Sequence, residues 1–120
     1  ILKISSAYSP PPPDGFISPM TWGIEQNVIE RFAAAEIPSE KVSFTKETFR
    51  FNYPGPPSAL LGLFRLYYGP TMNAFDAAEK NGRADELQRE LEALFHSQNT
   101  SPSQGTTSIP ATFLRVTVCV

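Results

Sequence analysis

The clearest periodicity in the chain lies over residues 83–97. Leu87, Leu91, Leu94 and Phe95 recur three and four apart, while Asp85, Glu86, Arg89, Glu90 and Glu92 take the positions between them. That spacing predicts an amphipathic helix with one buried stripe. Asp85 and Arg89 stand four apart, where opposite charges meet on a helix surface. A second helical stretch opens at Ser58 with Leu60, Leu61, Leu63, Phe64, Leu66, Tyr67 and Tyr68. It is apolar around most of its circumference and is expected to be largely buried or sandwiched. Gly69-Pro70 breaks it, and proline is tolerated at a first helical position, so another helix is expected at once with Pro70, Thr71, Met72 and Phe75. Asn81-Gly82 ends that segment. Upstream, Ile24, Val28 and Phe32, with Ile29 beside them, predict a helix over about 22–35, with Thr21 as a candidate cap and Pro38 as a stop.

Two stretches alternate with period two. In 41–53, Val42 and Phe44 are even-numbered, whereas Phe49, Phe51 and Tyr53 are odd-numbered. These sets face opposite sides of a regular strand, so either a β-bulge lies between Thr45 and Thr48 or both faces are partly covered. In 112–120, Leu114, Val116, Val118 and Val120 line one face, and Arg115 and Thr117 the other. Between the helices and this strand, residues 99–108 are rich in Ser, Thr, Gln, Gly and Pro and read as a mobile loop. The whole is an α+β chain: an antiparallel two-stranded ribbon (about 41–53 and 112–120), a helical insertion (58–97) and an N-terminal helix (about 22–35).

Residues 1–21 hold five of the twelve prolines, four of them in the run Pro10 to Pro13. Tetraproline favours an extended polyproline segment, which reads as a surface connector or as a ligand for an aromatic groove. No basic residue adjoins the run to orient it in such a groove, so the connector is preferred. The organisation is then a Pro-rich connector, 1–21, followed by a single α+β domain, 22–120. A length of 120 residues suits one domain. The net charge of −2 leaves no basic surplus for a phosphate backbone, which argues against a nucleic-acid partner. No apolar run approaches the ~20 residues needed to span a bilayer, so no membrane role is expected. One cysteine and no targeting pattern point to the cytoplasm.

The chemistry-bearing residues are few. Cys119 alone excludes an internal disulfide or a multi-cysteine metal site, and its place among valines suggests an inert thiol. His96 is the only histidine; near a helix C-terminus it suits the negative end of the dipole, the alternative being a lone general base. No two of the seven glycines form a Gly-x-Gly pair, so no phosphate-cradling loop is present. No catalytic or metal-ligating set emerges. Aromatic side chains are plentiful, and Trp22, Tyr67 and Tyr68 stand beside helix breaks or ends. They read as core, or as the wall of an apolar substrate pocket. Adjacent helical residues point about 100° apart, so one of Tyr67 and Tyr68 is expected to face the core and the other a pocket or solvent.

The order Pro10–Pro13, Ser18-Pro19, Trp22-Gly23, a helix, Glu47-Thr48-Phe49-Arg50-Phe51, then Leu63-Phe64-Arg65-Leu66-Tyr67-Tyr68-Gly69-Pro70-Thr71 resembles the C-terminal portion of class I S-adenosylmethionine-dependent methyltransferases of the type 11 family. The resemblance covers nearly the whole chain. It implies that the ribbon is the antiparallel hairpin ending a Rossmann-like sheet, and that the helices between its strands belong to a substrate lid. Trp22, Tyr67 and Tyr68 would then line the side of a small-molecule methyl acceptor. The family's glycine-rich cofactor loop and ribose-binding acid have no counterpart here, so the chain is expected to be a C-terminal fragment that binds no cofactor itself. S-adenosylmethionine belongs to the intact parent. The alternative is a free-standing α+β domain that binds a small apolar ligand or serves as an association module. With ribbon edges uncovered, a homodimer through the strand edges is expected.

Overall fold

The computed structural model describes residues 1–120 and contains five α-helices and a two-stranded antiparallel sheet. In chain order these are α1 (Leu2–Tyr8), α2 (Glu25–Ala33), β1 (Val42–Tyr53), α3 (Pro57–Tyr67), α4 (Gly69–Lys80), α5 (Ala84–Gln98) and β2 (Thr107–Val118). The α+β class, the ribbon and the three-helix insertion between its strands are as expected from the sequence. The chain divides into two compact units: Ile1–Pro12 with Arg50–Pro110, and Pro13–Phe49 with Ala111–Val120.

The first unit holds the main core. Leu61, Leu87, Leu91, Ala74, Phe75, Ala78 and Phe95 are all but inaccessible to solvent. They come from α3, α4 and α5, which pack on one another. Phe64 links them to neighbouring rings, meeting Phe95 and Phe51 edge-on at centroid distances of 5.4 and 5.8 Å. Thr71, fully buried on α4, leaves its Oγ1 without a hydrogen-bond partner, as does Ser5 Oγ on α1. Arg65 spans α3 and α4, its guanidinium 4.2 Å from the Phe75 ring centroid and 2.9 Å from Glu79.

The helix α1 lies within the stretch expected to be a connector. Ile1, Ile4, Ser5 and Tyr8 share one side at helical spacing, and that side packs on α4 and α5. After it, Pro10–Pro13 are exposed and in no regular secondary structure.

In the second unit, α2 starts later than the apolar spacing suggested. Thr21 does not cap it: its hydroxyl donates to the Ser18 carbonyl at 2.7 Å, in a single 3-10 turn over Pro19–Thr21. Trp22 and Gly23 continue that turn, and α2 begins at Glu25, whose charge suits the helix N-terminus. Its end comes before Pro38. Glu36 adopts the left-handed region with φ 62°, the Ile37 N–H reaches back to the Phe32 carbonyl, and the last turn closes.

The ribbon needs no bulge. Cys119 N–H donates to the Lys41 carbonyl, Thr48 and Thr112 share a hydroxyl hydrogen bond, and Ser108 donates to Asn52. These three pairs keep one register from end to end. The change of phase along β1 has another origin: Val42 and Phe44 are half-buried in the second unit, and Tyr53 packs against the core of the first. A side chain at Gly55 would meet the Tyr53 ring, since a Cβ there would lie 2.5 Å from its Cε1.

The same register explains why β2 begins at Thr107 rather than 112. The Cys119–Lys41 bond puts odd-numbered positions in the bonded pairs, so even-numbered residues turn their N–H to the outer edge. Pro110 is even-numbered and removes no ladder bond. At Ser108 that outer edge is covered by the polar loop, whose Asn99 Oδ1 accepts the Ser108 and Ser101 N–H groups at 2.8 and 3.1 Å. Ser101 and Thr106 hydroxyls bond at 2.6 Å. The tract expected to be mobile is thus closed by its own hydrogen bonds.

Candidate functional site

The break between α3 and α4 is made by one residue. Tyr68 ends α3 and begins α4 with φ −101° and ψ 106°, and Gly69-Pro70 opens the new helix. The elbow turns one side of α3 inward, where Pro57, Leu60 and Leu61 are buried. The other side is uncovered, so α3 is not sandwiched as its all-round apolar composition suggested. Leu63, Leu66, Tyr67, Tyr68 and Met72 form an exposed apolar group at the elbow, with Leu66 at 61% and Tyr67 at 78% of full exposure.

Neither Tyr67 nor Tyr68 enters the core, contrary to the expectation from their 100° separation. The inward side of this turn is already occupied by Leu60, Leu61 and Phe64. Tyr68 leans edge-on against Phe64 at 5.4 Å, while Tyr67 points to solvent. Tyr68→Ala is therefore expected to cost about 1 kcal/mol, the value of an aromatic pair, and Tyr67→Ala to fall within about 0.5 kcal/mol of no change. Urea denaturation of the two variants checks the order; a larger loss at Tyr67 would contradict it.

Trp22 belongs to the second unit and is 57% exposed, one residue beyond the 3-10 turn. Tyr67 and Tyr68 belong to the first unit. His96 and Cys119 are exposed, Cys119 as a free thiol. No group of three or more His, Cys, Asp or Glu side chains is placed to hold a metal ion.

The fit to S-adenosylmethionine can be judged from the glycines. A cofactor loop of the family's type needs glycine just after a strand. Gly55 is the one glycine that follows a strand closely, and the Tyr53 ring takes the space beside it. Gly15 and Gly82, the two glycines with positive φ, stand in turns that follow no strand.

A polar cluster not singled out in the sequence joins α1 to α5. Tyr8, buried, donates its hydroxyl to Glu90 Oε1 at 2.7 Å. The Arg83 guanidinium lies 4.3 Å from the Tyr8 ring centroid and pairs with Glu86 at 2.8 Å. Burial pushes the Tyr8 phenol up to about 12, helped by the hydrogen bond to Glu90 and the negative charges of Glu86 and Glu90. The hydrogen bond from Arg83 holds the Glu86 carboxyl below its ordinary value. The expected Asp85–Arg89 ion pair is replaced by a bond from Arg89 to the Asp85 carbonyl. The signals for this cluster were the spacing of Ile1, Ile4 and Tyr8 and the run Arg83-x-x-Glu86-x-x-x-Glu90. What the cluster does is hold α1 in place.

The side chains exposed at the elbow are largely apolar. No helix is long and apolar enough to cross a membrane. No protein-family model, curated protein or solved structure matches the chain.

Proposed function

We propose that the chain is the C-terminal substrate-lid region of a class I S-adenosylmethionine-dependent methyltransferase, inactive by itself. The observation that carries this reading is the insertion of α3, α4 and α5 between two antiparallel strands, with an exposed apolar elbow at Leu66 and Tyr67. In the parent enzyme such an elbow would contact the acceptor and exclude water while a methyl group is transferred. Tyr67 and Tyr68 are the residues assigned to the acceptor side. A cytoplasmic location accords with the single thiol. Isothermal calorimetry with S-adenosylmethionine and its demethylated product tests the division of labour. The isolated chain is expected to bind neither more tightly than about millimolar; tighter binding would overturn the reading.

A second reading is supported by the ribbon. Each of its two strands has an outer edge, and a lone two-stranded ribbon is marginal in water. Pairing of β2 with a second copy would extend the sheet and cover Leu114, Val116 and Val118 further. Sedimentation velocity over a wide concentration range is expected to show a dimer; a folded species of 13.2 kDa at every concentration would remove this reading.

A further inference from the structure

We propose that Asn81-Gly82 is a site of spontaneous deamidation and backbone isomerisation, and that its conversion loosens α1. Asn81 is exposed and caps the C-terminus of α4, and Gly82 follows it with φ 67°. Of the five asparagines, at 27, 52, 73, 81 and 99, only Asn81 precedes a glycine; the others precede Val28, Tyr53, Ala74 and Thr100. Glycine has no Cβ to obstruct attack by its own backbone nitrogen, and its φ and ψ are free to bring that nitrogen round.

The chemistry needs only water. The Gly82 nitrogen attacks Asn81 Cγ, a C–N bond forms, and the bond from Cγ to Nδ2 breaks. The Gly82 amide proton passes to solvent, and Nδ2 takes a proton from water and leaves as ammonia. Water then opens the five-membered imide at either carbonyl. One product is aspartate, and the other is isoaspartate, with the main chain running through Cβ.

The fold sets the pace. Asn81 Nδ2 donates to the Ala77 carbonyl at 3.0 Å, Gly82 N–H to the Glu79 carbonyl at 3.2 Å, and Arg83 N–H to the Ala78 carbonyl at 2.8 Å. Both reacting groups are therefore held in the closing turn of α4, and attack requires that turn to open. Conversion removes the bond to Ala77 and places a carboxylate at the negative end of the helix dipole. Isoaspartate also adds a main-chain carbon two residues before Arg83, whose guanidinium covers Tyr8 on α1. The clamp on α1 thus shifts with the turn.

The test is to incubate the full chain in mildly alkaline buffer, native and in urea, and map isoaspartate by peptide mass spectrometry. Isoaspartate is expected at position 81 and at no other asparagine, sooner in urea than in the native chain, and absent from Asn81→Gln. Amide-exchange protection over Leu2–Tyr8 is expected to fall in the converted native fraction. Native protein that stays unconverted at 81 after the urea sample has converted fully, or conversion first at another asparagine, would overturn the site. Unchanged protection of α1 after conversion would overturn its coupling to the clamp.

Discussion

Leu91→Ala should unfold much of the first unit's stability in a single step. Leu91 is fully buried on α5, in the helix that packs against α1, α3 and α4. Truncating a leucine in such a setting removes the transfer energy of its methyl groups and leaves a cavity, at a cost of about 3–5 kcal/mol. Small domains are stable by only about 5–15 kcal/mol, so this is a large part of the total. The comparison is Leu66→Ala, on the exposed side of α3, which should stay within about 0.5 kcal/mol of the parent chain. Urea titrations of both variants, with equal slopes, would measure the difference. Equal losses at the two positions would mean that the core does not lie where α5 places it.

The second large effect is an alkaline loss of stability centred on Tyr8. Its phenol is raised from an ordinary 10.0 to about 12, first by burial and then by its hydrogen bond to Glu90 and the charges of Glu86 and Glu90. The folded chain therefore holds this proton more tightly than the unfolded chain. The stabilisation is fully present below the unfolded value and is lost as the pH rises through the folded one. Denaturation midpoints should fall between pH 10.0 and about 12 by more in the parent chain than in Tyr8→Phe, which has no phenolic proton to lose. Parallel pH profiles for the two proteins would show that Tyr8 is not held as described.

Much of this architecture was legible from the sequence because the strongest patterns are the ones that bury most surface. Leu87, Leu91 and Phe95 of the predicted stripe form the buried side of α5, with Leu94 half-buried, and α3 gives way to α4 at Tyr68, one residue before the predicted Gly69-Pro70 break. The features that were hard to read depend on long-range context. The seven residues of α1 are two turns long, too short for periodicity to stand out beside four prolines, and they are helical because α4 and α5 receive Ile4 and Tyr8. The start of β2 at Thr107 depends on the register, which puts the Pro110 nitrogen on an outer edge. Of the two explanations for the phase change in β1, a bulge or partial cover of both faces, the structure has the second, with Val42 and Phe44 half-buried and Tyr53 against the core.

The candidate site was less legible than the fold. Tyr67 and Tyr68 were visible as aromatic residues at a helix end, but an all-apolar helix gives no indication of which side will be left open. That side is determined by the elbow at Tyr68, which commits Leu60 and Leu61 to the core and leaves Leu66 and Tyr67 outside. The spacing of Ile24, Val28 and Phe32 predicts a helix from about residue 22. The Ser18–Thr21 hydrogen bond favours the tighter turn and delays α2 until Glu25.

The proposal that the chain is the lid portion of a methyltransferase is tested most directly by sequencing the transcript that encodes it. The account predicts, in frame before Ile1, a β-strand followed by a glycine-rich loop and, one strand later, an acidic residue placed to hold a ribose. An initiating methionine immediately before Ile1, or an upstream coding sequence with no such loop, would contradict it.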